Sequence, residues 1–126
     1  MADQVPAGTF PTGFPAALAD EAFVHSGEAA WRPPQAVQAI NWLCAHGYAV
    51  LGTEVWLPQG KFIQSVPYFQ NVDRNVGEEW NSFVTRAAAE TVAYVKAFEQ
   101  KFAEEGDVFL NVTWVSEAEF QCLKAT

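Results

Sequence analysis

Hydrophobic positions change their period several times along this chain, and each change marks an element. From Pro33 to His46 apolar residues recur at helical spacing, with Val37, Ile40, Leu43 and Cys44 on one face and Trp42 beside them. Pro33 and Pro34 suit the first turn of such a helix, where their missing N–H groups are not needed. Gly47 supplies the left-handed residue that closes it. From Tyr48 to Leu57 the period drops to two. Both resulting faces (Ala49, Leu51, Thr53, Val55, Leu57 and Tyr48, Val50, Gly52, Glu54, Trp56) are mostly apolar, which predicts a strand buried on both sides near the middle of a sheet.

Pro58-Gln59-Gly60-Lys61 is a turn signal, so a returning strand is expected over 62–69. Pro67 cannot donate to a ladder and places that strand at an edge. A polar loop, 70–76, leads to a long helix over 77–104. Its stripe runs through Trp80, Val84, Ala87, Thr91, Tyr94 or Val95, Phe98 and Phe102. Asp73 or Asn75 is the expected cap, and Glu78 and Glu79 favour the positive end of the helix. Gly106 stops it, and residues 107–115 read as a strand rich in β-branched and aromatic residues. Ser116 with Glu119 three residues later is a capping box that opens a short helix through Leu123.

Before the first firm helix the pattern is weak. Pro6, Pro11 and Pro15 predict an extended arm draped over the body, and residues 16–24 a short helix ended by Ser26-Gly27. The expectation is an α+β fold: a single compact domain whose small, mainly antiparallel sheet packs against two principal helices, with an extended N-terminal arm. Residues 1–24 are the proline-containing arm with its short helix, and residues 25–126 the α+β domain.

At 126 residues, half of them hydrophobic and with five Trp and ten Phe, the chain has enough apolar surface for one core. Fifteen carboxylates against seven Lys and Arg leave a net charge of −8, spread along the chain. Nucleic acid and anionic membrane surfaces both select for clustered cations, so neither is an expected partner. A basic protein fits this field better, although acidity also serves solubility alone. The first residues lack the basic start and apolar core of a signal peptide, and no run approaches the length of a membrane span. The expected location is cytoplasmic, with Cys44 and Cys122 as free thiols.

Catalytic and metal-binding patterns are absent. Phosphate-loop, HExxH, GxSxG and paired CxxC motifs do not occur. Metal sites want several His, Cys or carboxylates at matched spacing, and His25 and His46 sit in no such pattern; no cofactor or metal is expected. Cys44 and His46, two residues apart on a helix, point roughly 200° apart and form no thiol dyad. The Asn111-Val112-Thr113 sequon lies in a predicted strand and is read as chance.

Two acidic features stand out. Glu54 sits inside an apolar strand, where an unpaired charge is expensive. It pairs with Arg32, Arg74 or Arg86, lies where the strand reaches water, or serves function. Glu78-Glu79-Trp80 is either an interface anchor with an acidic rim or an ordinary helix start with Trp80 in the core.

The segment AVQAINWLCAHGYAVLGTEVW, the helix VTRAAAETVAYVKAF and the strand DVFLNVTWV together resemble the bacterial polymorphic-toxin immunity proteins, in particular the immunity protein 40 family. SGEAAW at 26–31 matches a short N-terminal element of the same pattern, whereas Thr53-Glu54 stands where Gly-Asp is expected. The resemblance implies a cytoplasmic, non-catalytic protein that binds a cognate toxin domain and neutralises it by occluding its active site. It gives no catalytic residues. The surface residues expected to meet a basic toxin are Glu54, Trp56, Tyr68, Asp73, Glu78 and Glu79. Two alternatives remain open at this level: a small-molecule-binding module with a pocket lined by Trp56, Tyr68, Trp80 or Trp114, and an enzyme using Glu54 with Glu78 or Asp73.

Overall fold

The structure, a computed structural model, describes residues 10–25, 27–59, 62–101 and 108–125, the side chains of 58–59, 62–68, 100–101 and 124–125 excepted. In chain order the elements are α1 (Ala16–Glu21), β1 (Phe23–His25), β2 (Glu28–Trp31), α2 (Pro33–Ala45), β3 (Ala49–Gln59), β4 (Phe62–Asn71), α3 (Trp80–Lys101), β5 (Phe109–Val115) and α4 (Glu117–Ala125). The strands form one antiparallel sheet in the order β1-β2-β5-β3-β4. The fold is α+β, as the periodicity predicts. β5 inserts between β2 and β3, which are joined through α2, and β3 lies between β4 and β5, which are joined through α3. Two split β-α-β crossings therefore interlock, and both long helices pack against each other and the sheet.

Each helix end has a local cause. Pro33 and Pro34 fill the first positions of α2, and Arg32 stands at the N-cap with no side-chain capping bond to the helix. Gly47, at φ 83, turns the chain into β3. The buried face of α2 is Ala36, Ala39, Ile40 and Leu43, with Val37 and Cys44 only half-buried at its border. The buried face is therefore rotated from the predicted Val37, Ile40, Leu43 and Cys44 towards the small Ala36 and Ala39. At the C-terminus the capping box forms as predicted: the Ser116 N–H donates to Glu119 Oε1 (2.8 Å) and the Glu119 N–H to Ser116 Oγ (3.1 Å).

Three expectations need correction. The helix predicted over 16–24 ends at Glu21, and Ala22 is extended. Phe23–His25 and Glu28–Trp31 are instead a hairpin, with Gly27 at φ 78 in the link between paired His25 and Glu28. Strands of three and four residues are too short to display a period. The second long helix starts at Trp80, because Gly77 (φ 78) takes the backbone off the helical path; the Phe83 N–H makes its helix bond to Glu79 O. Asp73 and Asn75 consequently lie upstream of the cap. Finally, the register of β3 shifts between Val50 and Gly52, so Val50 joins Val55 on the helix side and leaves the face of Glu54. The predicted end of α3, Phe102 and Gly106, lies outside the described residues.

The core is in two parts. The larger joins Trp31, Ile40, Leu43, Val50, Val55, Val95, Phe98 and Leu110, and the smaller joins Ala49, Val72, Trp80, Phe83, Val84 and Ala87. A polar seam sits on the helix side of the sheet: Thr91 Oγ1 donates to Gln70 Oε1 (3.3 Å), and the buried Thr53 Oγ1 has no hydrogen-bond partner. At the other end, Phe10 and Phe14 stack on each other and pack on Trp31, Trp42 and Trp114. Trp31 in turn donates its indole N–H to Leu18 O (2.7 Å), tying α1 to the sheet. No described helix is long and apolar enough to cross a membrane.

Candidate functional site

Directly opposed residues of an antiparallel pair share a face, so the register sorts the sheet. Trp31, Leu110 and Val55 form a row on the helix side. On the other face a row crosses all five strands: Phe23, Ala30, Asn111, Glu54 and Phe69. Thr113, Gly52 and Asn71 form the row above it, and Phe109 and Trp56 lie in the row below. This face carries the first two predicted surface residues.

Glu54 and Trp56, two apart on one strand, point the same way. The Trp56 indole N–H donates to Glu54 Oε1 at 2.9 Å. The pairing with Arg74 or Arg86 is not what holds this carboxylate: Arg86 binds Glu78 and Glu90, and Arg74 lies over the rings of Trp80 and Phe120. Trp56 is buried among Phe23, His25 and Phe109, the last of which carries the Arg32 guanidinium 5.0 Å from its centroid. Glu54 is half-buried and lines an open groove with Glu28, Gly52, Phe69, Asn71 and Asn111. Gly52 forms its floor. A Cβ there would fall on the Gln70 carbonyl oxygen and stand 3.0 Å from Asn71 Oδ1, so only glycine lets β3 and β4 approach this closely. Tyr68 belongs to β4, but its side chain lies outside the described residues.

The other predicted residues, Asp73, Glu78 and Glu79, fall on the loop between β4 and α3. Here Glu78 organises the backbone. Both its carboxylate oxygens accept from Arg86, Nε at 2.8 Å and Nη2 at 2.8 Å, and Oε1 also accepts the Asn75 N–H at 2.9 Å. These donors, the Arg86 hydrogen bonds first, hold its carboxyl down at about 2, well below the ordinary 4.5. Arg86 Nη2 also donates to Asp73 O (2.6 Å), and Arg74 Nε donates to Glu78 O (2.9 Å). Asp73 and Glu79 are exposed. Trp80 is core: its ring packs on Phe83 and Phe120, and its indole N–H donates to Gly47 O at 2.9 Å.

The two sets are joined along the surface. The groove holding Glu54 shares Leu51 and Asn71 with a second groove lined by Asp73 and Leu123, and that one shares Arg74 and Phe120 with a third lined by Val76, Glu78 and Glu79. Glu54, Asp73 and Glu78 thus line three successive open grooves rather than one cleft, and Glu78 is held ionised, opposite to the raised carboxyl a general acid needs. Trp56, Trp80 and Trp114 pack in three separate aromatic groups, around Phe23, Phe83 and Trp31 respectively. Asn111 of the sequon is buried and donates to Ala29 O (3.0 Å).

Sequence reasoning passed over Glu28, Phe69 and Val76. Phe69 and Val76 are, with Leu123, the large apolar side chains most exposed among the described residues, and each lines one of the three grooves. Alternation hinted that Phe69 shares a face with some residue of β3, but which one depends on a register slip between Glu54 and Trp56, opposite the segment containing Pro67.

Comparison with curated proteins and with solved structures returns no significant match. The family model described as Immunity protein 40 matches residues 21–112, from the end of α1 into β5, and so takes in the hairpin, both long helices and the grooved surface except Thr113 and α4. The chain belongs to the Immunity protein 40 family.

Proposed function

We propose that the chain binds a cognate bacterial toxin domain in the cytoplasm and neutralises it by covering the toxin's active site, without catalysis of its own. The family supplies the class of activity. The observation that carries the surface assignment is the continuity of the three grooves, which brings Glu54 of the sheet and Asp73 and Glu79 of the loop onto one side of the molecule. Among the described residues lining them are five carboxylates (Glu28, Glu54, Asp73, Glu78 and Glu79) and one cation, Arg74, already stacked on Trp80 and Phe120.

Such a surface steers a basic partner and repels an acidic one. Glu54 and Trp56 offer a fixed acceptor on an aromatic base, Asp73 and Glu79 offer free charge, and Glu78 keeps the loop in shape. A toxin that handles phosphates, such as a nuclease, presents the cations this field favours.

The test is association of the purified chain with its toxin domain as a function of salt. Glu54→Lys combined with Glu79→Lys should slow association roughly tenfold or more at low salt and flatten its salt dependence, because both carboxylates act through a screened field. Unchanged association and salt slope would remove these residues from the interface.

A further inference from the structure

The three large apolar side chains most exposed among the described residues are not scattered: Phe69 (60% exposed), fully exposed Val76 and Leu123 (59%) line successive members of one run of grooves. Single exposed hydrophobics need no explanation, but concentration on one side marks a contact surface. Phe69 and Val76 have, besides exposure, a rigid setting. Phe69 is paired directly with Glu54 on the ladder. Val76 is at the outermost part of a loop whose neighbours are all fastened. The Asn75 N–H donates to Glu78 Oε1 and its carbonyl oxygen accepts the Glu78 N–H, Gly77 takes the left-handed turn, and Arg86 from α3 donates to both Glu78 and Asp73 O.

A loop fastened this way has less backbone freedom to lose on binding, so an apolar residue it displays contributes its burial at a reduced ordering cost. We propose that Phe69 and Val76 are the apolar anchors of the toxin interface, and that their occupant is an apolar strip of the toxin domain bordered by lysines or arginines. The border follows from charge: Glu54 is paired with Phe69 on the ladder, Glu78 and Glu79 line the groove of Val76 along with Arg74, whose guanidinium lies over Trp80 and Phe120, and Asp73 lines the adjoining groove. This inference rests on the immunity reading and adds the residues that carry affinity, as opposed to the carboxylates that carry steering.

The experiment measures binding of the toxin domain by the full chain and by Phe69→Ser, Val76→Ser and the double variant, with Ala93→Ser on the exposed side of α3 as control. Thermal melting verifies that each is folded. Each anchor variant should weaken Kd by about tenfold, mainly through faster dissociation, with the control unchanged. Val76→Lys should weaken binding more than Val76→Glu, since the first meets the cationic border with like charge. A folded double variant that binds as tightly as the parent, or a Lys variant that binds better than the Glu variant, overturns the proposal while leaving the immunity reading intact. A parent chain that does not bind the toxin domain overturns both.

Discussion

Glu78 shows how one side chain can be acidic without being an acidic surface. Its two oxygens are taken by the Arg86 fork and a backbone N–H, so its charge is spent inside the molecule while Asp73 and Glu79 beside it face water. This has a pH signature. The folded chain holds the Glu78 carboxyl at about 2 against an ordinary 4.5, so as pH falls below 4.5 the unfolded chain takes up this proton first. The stabilisation it gives is complete above that value and is lost as pH falls towards 2. Glu78→Gln should therefore lower stability at neutral pH and flatten the fall in stability across that window. Chemical denaturation at a series of pH values measures it; a variant with the parent's pH slope would show that the fork contributes nothing to folding. Gly52 is the second residue whose identity follows from geometry. With the Gln70 carbonyl where a Cβ would stand, Gly52→Ala should destabilise the fold by about 1–3 kcal/mol. The urea midpoint would fall with the slope unchanged, and an unaltered midpoint would contradict the close approach.

Among the elements, those with a long period were legible and those without one were not. The two long helices repeat their apolar residues over several turns, and the capping box at Ser116 and Glu119 declares itself in two letters. β3 and β5 are long enough to alternate. The hairpin of β1 and β2 is not: Glu28 to Trp31 reads EAAW, an adequate helix, and only pairing with β5 makes it a strand. The same tertiary dependence hid part of the site. That Glu54 and Trp56 share a face follows from a two-residue spacing, but the neighbours of Glu54, Asn111 on one side and Phe69 on the other, are set by register. The two ladders of β3 are each interrupted once, by an extra residue of β3 against β5 and by extra residues of β4 opposite Glu54–Trp56. The bulge after Val50 moved a predicted face-mate of Glu54 to the core. In the sequence Val76 reads as one more residue of a polar loop, because the fastening comes from Arg86, ten residues on, in the adjoining helix.

For the whole molecule, the two long helices cover one face of the sheet and leave the other to a row of polar, acidic and aromatic residues that runs on, groove by groove, into the β4–α3 loop. In the proposed reading the carboxylates lining this side attract cations at long range, and the exposed apolar residues supply short-range contact. Family membership gives the kind of work the chain does, and this surface is where we propose that it is done. The most direct measurement is survival of bacteria expressing a candidate toxin domain, taken from a gene adjacent to the one for this chain, with and without the chain itself. The account predicts that the domain alone kills, that co-expression restores growth, and that the two proteins then purify as a stable complex. Cells that die equally in both cases, with no complex recovered, would contradict the assignment of this chain as that toxin's inhibitor.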